Sequence, residues 1–362
     1  MTRLFSIALL TLCACSAVVS QDKPSAPVYK MPVDARFTAE DVSIDRKGDD
    51  GDFEIAGTLN IPRGDKPESG WPAVLFISGS GSETRHGFQG ALDTGSWELT
   101  DAVSNAGFAV LAVDDRGIGE TPAGPAGFDA STLGYDELVG DAQAALTYLI
   151  ERAEIDKSRI FIIGHSEGGL TAPILAGRND IAGVVFMAAM GRNLYDVTID
   201  QTSAAMEKLP KAVRESNMKV QREFQDAVKE DRAPNFEIIG KDKATVDALK
   251  AVYKKQVEPL KAWWHDHFAL DVPAIHAAVK CPCFVANGSS DFQVSPDNDA
   301  RQIVKNLMAG KCSDVQFRLY EDLDHLFKPC NGRKSEMKIY FEDRRVDGGY
   351  LKDVVAWLEA HR

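Results

Sequence analysis

The sequence predicts an α/β fold, in which a mostly parallel central sheet is flanked by helices and carries a helical cap insertion. Short apolar, strand-like runs alternate with helical patterns along most of the chain, as a parallel sheet requires. One such run passes through a glycine-flanked serine directly into a helical pattern. Residues 193–271 break the alternation, because they are charged and helical in pattern and contain no clear strand. The core is therefore predicted to comprise residues 37–192 and 272–362.

The core elements follow in chain order. Residues 37–61 predict an opening hairpin, and residues 62–70, which are rich in glycine, proline and charge, predict a surface turn. Apolar side chains recur at helical spacing over residues 138–150 and again over residues 351–358. The later strand-like runs centre on Val74, Val110, Phe161, Val184, Phe284 and Phe317.

The insertion at residues 193–271 would lie between two strands of the core. We expect it to form a helical cap above the active site, because caps exclude water and shape substrate pockets. An aromatic stretch near its end would supply an apolar wall that binds substrate. The alternative is a packing insertion that does not contact substrate. The predicted wall consists of Trp263, Trp264 and Phe268.

The glycine-flanked serine lies within residues 164–169, which read G-H-S-E-G-G. An apolar run at residues 160–163 precedes it, and a helical pattern follows. A strand, this motif and a helix together are the context of a nucleophile elbow, a tight turn that exposes the serine hydroxyl. Glycines flank the serine because a Cβ there would meet neighbouring backbone. Ser166 is therefore the candidate nucleophile; the alternative is a glycine-rich turn with a capping serine.

Partners for Ser166 are expected later in the chain, first an acid and then a histidine. Asp291 and His325 each follow a strand-like run. Because chemistry in such sheets collects at the carboxyl ends of the strands, we expect His325 to be the base and Asp291 to orient its ring. Asp322 and Asp324 are alternative acids, although both lie very near the histidine in sequence.

An oxyanion hole can also be predicted. One donor would be the backbone N–H of Glu167, which follows the nucleophile. The second donor would come from residues 78–82, which read S-G-S-G-S after the strand-like run at residues 72–77. Within that loop Ser80 is the first choice and Gly81 the second.

Several stretches resemble the α/β-hydrolase superfamily, and within it secreted bacterial esterases and acyl hydrolases related to serine aminopeptidases and prolyl oligopeptidase-like enzymes. Residues 78–85 resemble the G-S-G-P-x-D-R loop of that family, with serine in place of the proline. Residues 113–119 are similar to its D-x-R-G-x-G stretch. Residues 287–294 and 296–298 resemble its acid loop, and residues 322–325 its histidine loop.

This resemblance implies an α/β-hydrolase fold and a serine hydrolase that cleaves carboxylic esters through an acyl-serine intermediate. It implies neither a metal nor an organic cofactor, and the substrate would be a small-molecule ester or a short peptide. The same machinery serves a serine peptidase or aminopeptidase acting on short peptides or amides, which is the main alternative. A non-catalytic binding protein on this fold is the third reading, since fold does not fix function.

Composition fits one large domain with an insertion. The chain has 362 residues, and 44% of them are hydrophobic, as in a globular protein. The net charge is −13 at pH 7, and the sequence has no basic patch, so nucleic acid is not an expected partner. No internal apolar run is long enough to span a bilayer.

Residues 1–20 predict a signal peptide, because Arg3 precedes a short apolar core and small residues follow up to Ser20. Cleavage after Ser20 would give an exported protein, periplasmic or extracellular. The stretch at residues 12–15, L-C-A-C, also resembles a lipoprotein signal in which Cys15 would carry a lipid anchor.

Four cysteines follow the signal segment, and export would permit disulfides among them. Cys281 and Cys312 each precede a strand-like run, and these two strands are expected to be parallel neighbours, so their Cα atoms would come close. Cys283 is expected to be a buried core residue. Metal binding is disfavoured, because the C-P-C spacing at residues 281–283 has no second ligand pair nearby.

Overall fold

The computed structural model describes residues 27–48, 51–240 and 242–362. The predicted signal peptide and Cys15 lie outside these residues. Among the described residues, no helix combines the length and the apolar character that crossing a membrane requires.

Within the described residues, eight strands form one sheet, and two further strands of two residues each form a separate small hairpin. Both the opening hairpin and the later strand-like runs predicted from the sequence are present as strands. The bounds are β1 Phe37–Arg46, β2 Phe53–Pro62, β3 Trp71–Ile77, β4 Phe88–Gln89, β5 Leu92–Asp93, β6 Ala109–Val113, β7 Ile155–His165, β8 Gly183–Met187, β9 Cys283–Gly288 and β10 Val315–Tyr320.

The large sheet has the strand order β1-β2-β6-β3-β7-β8-β9-β10. The strand β2 runs antiparallel to both of its neighbours. The remaining strands in that order, β6, β3, β7, β8, β9 and β10, run parallel to one another. The central strand β7 is apolar without alternation, and Ile160 to Ile163 expose at most 1% of their surface. A strand that is apolar on both sides is typical of a parallel sheet covered on both faces. The predicted α/β fold with a mostly parallel sheet is therefore confirmed.

Helices connect and cover these strands. The helical spacing at residues 138–150 and 351–358 corresponds to two of these helices, Tyr135–Glu151 and Gly348–His361. The bounds are α1 Ser96–Asn105, α2 Tyr135–Glu151, α3 Gly168–Ala176, α4 Leu194–Ala205, α5 Lys211–Lys229, α6 Phe236–Ile239, α7 Lys243–Gln256, α8 Lys261–Ala269, α9 Val272–Ala278, α10 Arg301–Ala309, α11 Met337–Tyr340 and α12 Gly348–His361.

The C-terminal helix α12 packs against one face of the sheet. Its Trp357 ring packs edge-on against Phe161 of β7, with centroids 6.2 Å apart, and stacks on Phe284 of β9, with centroids 6.1 Å apart. Tyr350 of the same helix is fully buried and stacks on Phe327 at 3.9 Å. Burial of aromatic rings of this size contributes strongly to the stability of a core.

The chain divides into two compact units. The larger, here called the sheet unit, contains the large sheet; its described part runs from residue 27 to 128, from Val139 to Arg192 and from Val272 to Arg362. The smaller, here called the helical unit, comprises Asp129–Leu138 and Asn193–Asp271.

Hydrogen bonds join the two ends of the longer segment of the helical unit. The Asn193 side-chain amide lies 3.1 to 3.2 Å from the carbonyl oxygens of His267, Phe268 and Leu270 and donates to them. The amphipathic helix α5 buries Phe224, whose ring packs edge-on at 5.0 Å against Tyr253 of α7. The unit therefore has a small aromatic core of its own.

Candidate active site

Ser166 occupies a strained turn between β7 and α3. Its φ angle is 51°, in the left-handed region that a residue with a Cβ rarely adopts. The backbone is held there from both sides: the Ser166 N–H donates to the Met187 carbonyl at 2.9 Å, and the Gly169 N–H donates to the Ser166 carbonyl at 3.0 Å. Strain of this kind persists only where the surrounding structure enforces it, and it clusters at functional sites.

The glycines of the turn are required by close backbone approach. A Cβ on Gly164 would collide with the carbonyl of Gly168, one turn further along. A Cβ on Gly168 would collide with the carbonyl oxygens of Ile77 and Ser78, where β3 ends. The spacing of glycines around Ser166 is thus imposed by packing between β7, α3 and the end of β3.

Asp291 and His325 are brought together by two neighbouring parallel strands. Asp291 follows β9 and His325 follows β10, and the His325 Nδ1 lies 2.8 Å from the Asp291 Oδ2. Both side chains are at least 95% buried. The second carboxylate oxygen of Asp291 accepts the N–H groups of Gln293 at 2.8 Å and Val294 at 3.0 Å. A carboxylate held in this way fixes the imidazole with Nδ1 protonated and leaves Nε2 to accept a proton.

The two alternative acids make other contacts. Asp324 is fully buried, and its carboxylate pairs with Arg344 at 2.7 Å while accepting the N–H groups of Leu326 and Lys328, each at 3.0 Å. Asp322 accepts the N–H of Gly332 at 3.0 Å. Both carboxylates therefore hold the backbone of residues 321–330 and 332, whereas Asp291 is the carboxylate that contacts the imidazole.

His165 links the serine turn to the histidine loop. Its Nε2 lies 3.1 Å from the His325 carbonyl oxygen, and the two rings lie 4.8 Å apart. Burial, together with the nearby His325, lowers the pKa of His165 to about 3. The ring is therefore neutral at physiological pH, and its Nε2–H donates to the His325 carbonyl. His165 has no role predicted from the sequence, although its position next to Ser166 is a visible signal.

The loop after β3 reaches the serine. A Cβ built on Gly79 would lie 3.1 Å from the Ser166 Cβ and 3.3 Å from the His165 Nδ1. The predicted oxyanion residue Ser80 follows Gly79, and the other predicted donor, Glu167, precedes α3. The side chain of Ser78 donates to Asp115 at 2.9 Å, and the N–H of Glu83 donates to the same carboxylate at 2.7 Å. Asp115, which the sequence analysis did not single out, therefore anchors both ends of this loop.

Two carboxyl groups near this loop have raised pKa values. Burial raises the pKa of Asp115 well above its ordinary value, and the nearby carboxylates of Glu83 and Glu167 add to the effect. Burial raises the pKa of Glu83 to about 7, although hydrogen bonds from Ser96, Thr94 and Gln89 oppose the shift. Both carboxyl groups therefore keep their protons to higher pH than free carboxyl groups do.

The aromatic stretch of α8 packs inside the helical unit. Trp264 and Phe268 are nearly fully buried, whereas Trp263 keeps part of its surface exposed. The Trp263 ring lies 4.6 Å from Trp264 and 4.2 Å from His267, which is fully buried. Phe224, Val228 and the amide side chains of Gln221 and Gln225 join Trp264 and Phe268 around a narrow apolar cleft. Substrate binding by Trp263, Trp264 and Phe268 stays a prediction.

Among the described residues, no group of three or more histidine, cysteine, aspartate or glutamate side chains has a geometry suited to a metal ion. What the site offers is a serine on a strained turn, a carboxylate-bound imidazole and a glycine-containing loop beside the serine. This arrangement suits nucleophilic catalysis, in which a serine is activated by a base that a third group orients.

Comparison with known proteins identifies the family to which this chain belongs. The family model described as "Serine aminopeptidase, S33" (Hydrolase_4) matches residues 86–327, which is more than half of the chain. Esterase EstD of Thermotoga maritima is 24% identical over 350 residues, covering 95% of this chain and 76% of the relative.

Solved structures with the same fold include the Pyrococcus furiosus esterase Pf2001, with a TM-score of 0.54 and 16% identity, covering 94% of this chain and 97% of that one. The acetyl xylan esterase of Paenibacillus sp. R4 has a TM-score of 0.52 and 17% identity, covering 94% of this chain and 90% of that one. On the family match and this shared architecture, the chain belongs to the serine aminopeptidase S33 family of α/β-hydrolases.

Proposed function

We propose that the protein is a serine carboxylesterase in which Ser166 is the nucleophile, His325 the general base and Asp291 the acid that orients the base. The observation that carries this proposal is the buried contact of 2.8 Å between Asp291 and His325, made next to the strained turn that presents Ser166. The hydrogen bond between His165 and the His325 backbone supports it, because it ties the base to the residue before the nucleophile.

The proposed reaction is acyl transfer to water. His325 Nε2 takes the proton of the Ser166 hydroxyl as its oxygen attacks the ester carbonyl. The imidazolium that forms is stabilised by Asp291, and it then protonates the departing alcohol. Water, deprotonated by the same imidazole, attacks the acyl-serine, and the serine is released with its proton restored.

The tetrahedral intermediates carry a negative oxygen that requires preorganised donors. We assign these donors to the backbone N–H groups of Glu167 and Ser80. Glu167 precedes α3, so the positive end of that helix's dipole also favours the oxyanion. The close approach of Gly79 to Ser166 supports the second assignment, because it brings the neighbouring backbone to the serine.

An ester substrate is favoured by the relative that matches 95% of this chain and is named as an esterase. The second candidate function, a serine aminopeptidase, is favoured by the description of the matching family. Both reactions use one nucleophile and one oxyanion hole, so the substrate alone separates them. An apolar acyl or alcohol group is proposed to meet the partly exposed Trp263, with Trp264 and Phe268 supporting it.

A substrate panel tests the proposal. The purified protein is assayed against p-nitrophenyl esters of increasing acyl length and against aminoacyl and prolyl p-nitroanilides, with Ser166→Ala as the control for both. We expect higher kcat/KM values for the esters than for the anilides, and loss of turnover in Ser166→Ala. Preference for the anilides would establish the peptidase instead. Failure of folded protein to hydrolyse either class would contradict both functions.

A further inference from the structure

Three thiols gather at the ends of β9 and β10 opposite to those that lead to Asp291 and His325. Cys283 is the first residue of β9, Cys281 lies two residues before it, and Cys312 lies in the turn that leads into β10. The parallel pairing of Cys283 with Val315 fixes their relative position. The Cys312 Sγ lies 3.7 Å from the Cys283 Sγ. Because S–S bonds measure about 2.05 Å, a small side-chain rotation would join these sulfurs.

The three thiols differ in access and in their surroundings. Cys283 is fully buried, whereas Cys281 and Cys312 are partly exposed. The Cys312 sulfur lies 2.9 Å from the carbonyl oxygen of Cys281 and 3.3 Å from that of Asp314. The contact with the Cys283 sulfur, which outweighs partial burial, lowers the pKa of Cys312 to about 7, and the same neighbour lowers the pKa of Cys281. Cys312 is thus a partly exposed thiol that forms a thiolate readily and contacts the Cys283 sulfur, and Cys283 is its buried neighbour.

We propose that Cys283 and Cys312 form a redox-active disulfide that fastens together the two strands carrying the triad acid and the triad base. The two cysteines bracket a segment that contains Asp291, so the bond would close a covalent loop around the acid. A metal site is the weaker interpretation of these thiols, because no group of described side chains has suitable metal-binding geometry.

The oxidant is a small-molecule disulfide such as oxidised glutathione. The Cys312 thiolate attacks one of its sulfurs, which breaks the S–S bond of the oxidant, forms a mixed disulfide and releases one glutathione thiolate. The Cys283 sulfur then attacks the Cys312 sulfur and displaces the second glutathione. The proton lost by Cys283 ends on the departing thiolate. Two protein thiols are oxidised to one disulfide, and one oxidised glutathione is reduced to two thiols.

Peptide mapping tests this assignment without any need for activity. The protein is equilibrated with oxidised glutathione, alkylated and digested with trypsin without reduction. Cleavage after Lys280, Arg301, Lys311 and Arg318 separates the peptide containing Cys281 and Cys283 from the one containing Cys312. We expect these two peptides to be recovered as one disulfide-linked species. Recovery of both peptides fully alkylated would overturn the proposal.

Serine variants identify the partner of Cys312. The linked species should persist in Cys281→Ser and be absent from Cys312→Ser and Cys283→Ser. Loss of the link in Cys281→Ser would assign the bond to Cys281 and contradict the proposal, and this result stands even if Cys283→Ser fails to fold.

Thermal unfolding gives a second readout. Closing a loop of this length should raise Tm by roughly 5 °C in the oxidised protein relative to the reduced protein. The rise should be absent from Cys312→Ser. An equal shift in Cys312→Ser would mean that glutathione acts elsewhere, and would also contradict the proposal.

Discussion

The Asp291 carboxylate accepts hydrogen bonds from its own loop as well as contacting His325. The N–H groups of Gln293 and Val294 and the side-chain amide of Asn287 all point at its carboxylate. An aspartate to asparagine change at such a position preserves shape but favours the wrong tautomer of the imidazole.

Asp291→Asn should therefore lower kcat by about 10³- to 10⁴-fold while leaving the fold intact. The measurement is steady-state hydrolysis of a p-nitrophenyl ester, with circular dichroism to check folding. Asp322→Asn is the matched control, because asparagine tolerates the left-handed φ of 58° at that position and can still accept the Gly332 N–H. Equal losses in the two variants would remove Asp291 from its assigned role.

Glu83 should make stability depend on pH. Burial raises its pKa in the folded protein to about 7, whereas the unfolded chain has the ordinary value of 4.5. Between these values the folded state binds the extra proton, so stability is highest below the lower value and falls as pH rises through about 7. The loss amounts to roughly 3 kcal/mol at most, since each pKa unit corresponds to about 1.4 kcal/mol.

Glu83→Gln should flatten that part of the stability profile. The measurement is the free energy of unfolding in urea at several pH values spanning the titration of Glu83, for both proteins. Asp93→Asn, which changes a nearby carboxylate instead, serves as the control. A decline of equal slope in the wild-type protein and Glu83→Gln would assign the pH dependence to other groups.

Residue identities predicted the site only in part. Ser166, Asp291 and His325 could be selected because each follows a strand-like run, and the structure places the last two in contact. His165 and Asp115 could not be given roles in the same way. Their contacts depend on which neighbouring loop meets each side chain, and chain order alone does not determine this.

The sequence predicts the strands more completely than it predicts the packing of the helical insertion. Long apolar runs predicted the strands because burial on both faces requires them. The helical pattern predicted the helices of residues 193–271, but it did not predict which of their aromatic side chains would be buried. Of the predicted substrate wall, Trp264 and Phe268 are nearly fully buried, and only Trp263 keeps exposed surface.

The two tryptophans should therefore respond differently to truncation. Trp264→Ala removes a buried ring and should cost about 3–5 kcal/mol of stability. Trp263→Ala should cost less and should instead change the ranking of esters by acyl length, because loss of an apolar contact affects kcat/KM unevenly. Urea unfolding and the ester series measure the two effects. A uniform drop across all esters in Trp263→Ala, in parallel with lower stability, would make this residue part of the packing alone.

The helical unit includes a segment that was not predicted from the sequence to belong to it. Residues 129–138 belong to it although they lie far from residues 193–271 in the chain. The Tyr135 N–H donates to Asp266 at 2.9 Å, and the Tyr135 ring lies 4.0 Å from His267. Because these contacts join distant parts of the sequence, local periodicity carries no signal for them.

The whole protein is proposed to be exported, on the evidence of residues 1–20. Expressed in a Gram-negative host, it should appear in the periplasmic fraction with Gln21 as its first residue, as N-terminal sequencing would establish. Lipidation would instead give a chain beginning at Cys15 that partitions into detergent. An unprocessed chain confined to the cytoplasm would contradict export.

The central claim is that Ser166 is the nucleophile, and active-site labelling tests it most directly. The protein is incubated with a fluorophosphonate, digested and mapped by mass spectrometry, with Ser166→Ala treated in parallel. We predict one phosphonylated residue, Ser166, with ester hydrolysis lost in proportion to labelling. Ser166→Ala should be unlabelled and reduced in kcat on the order of 10⁶-fold. A label on another residue, or ester turnover by folded Ser166→Ala at close to the wild-type rate, would contradict the account.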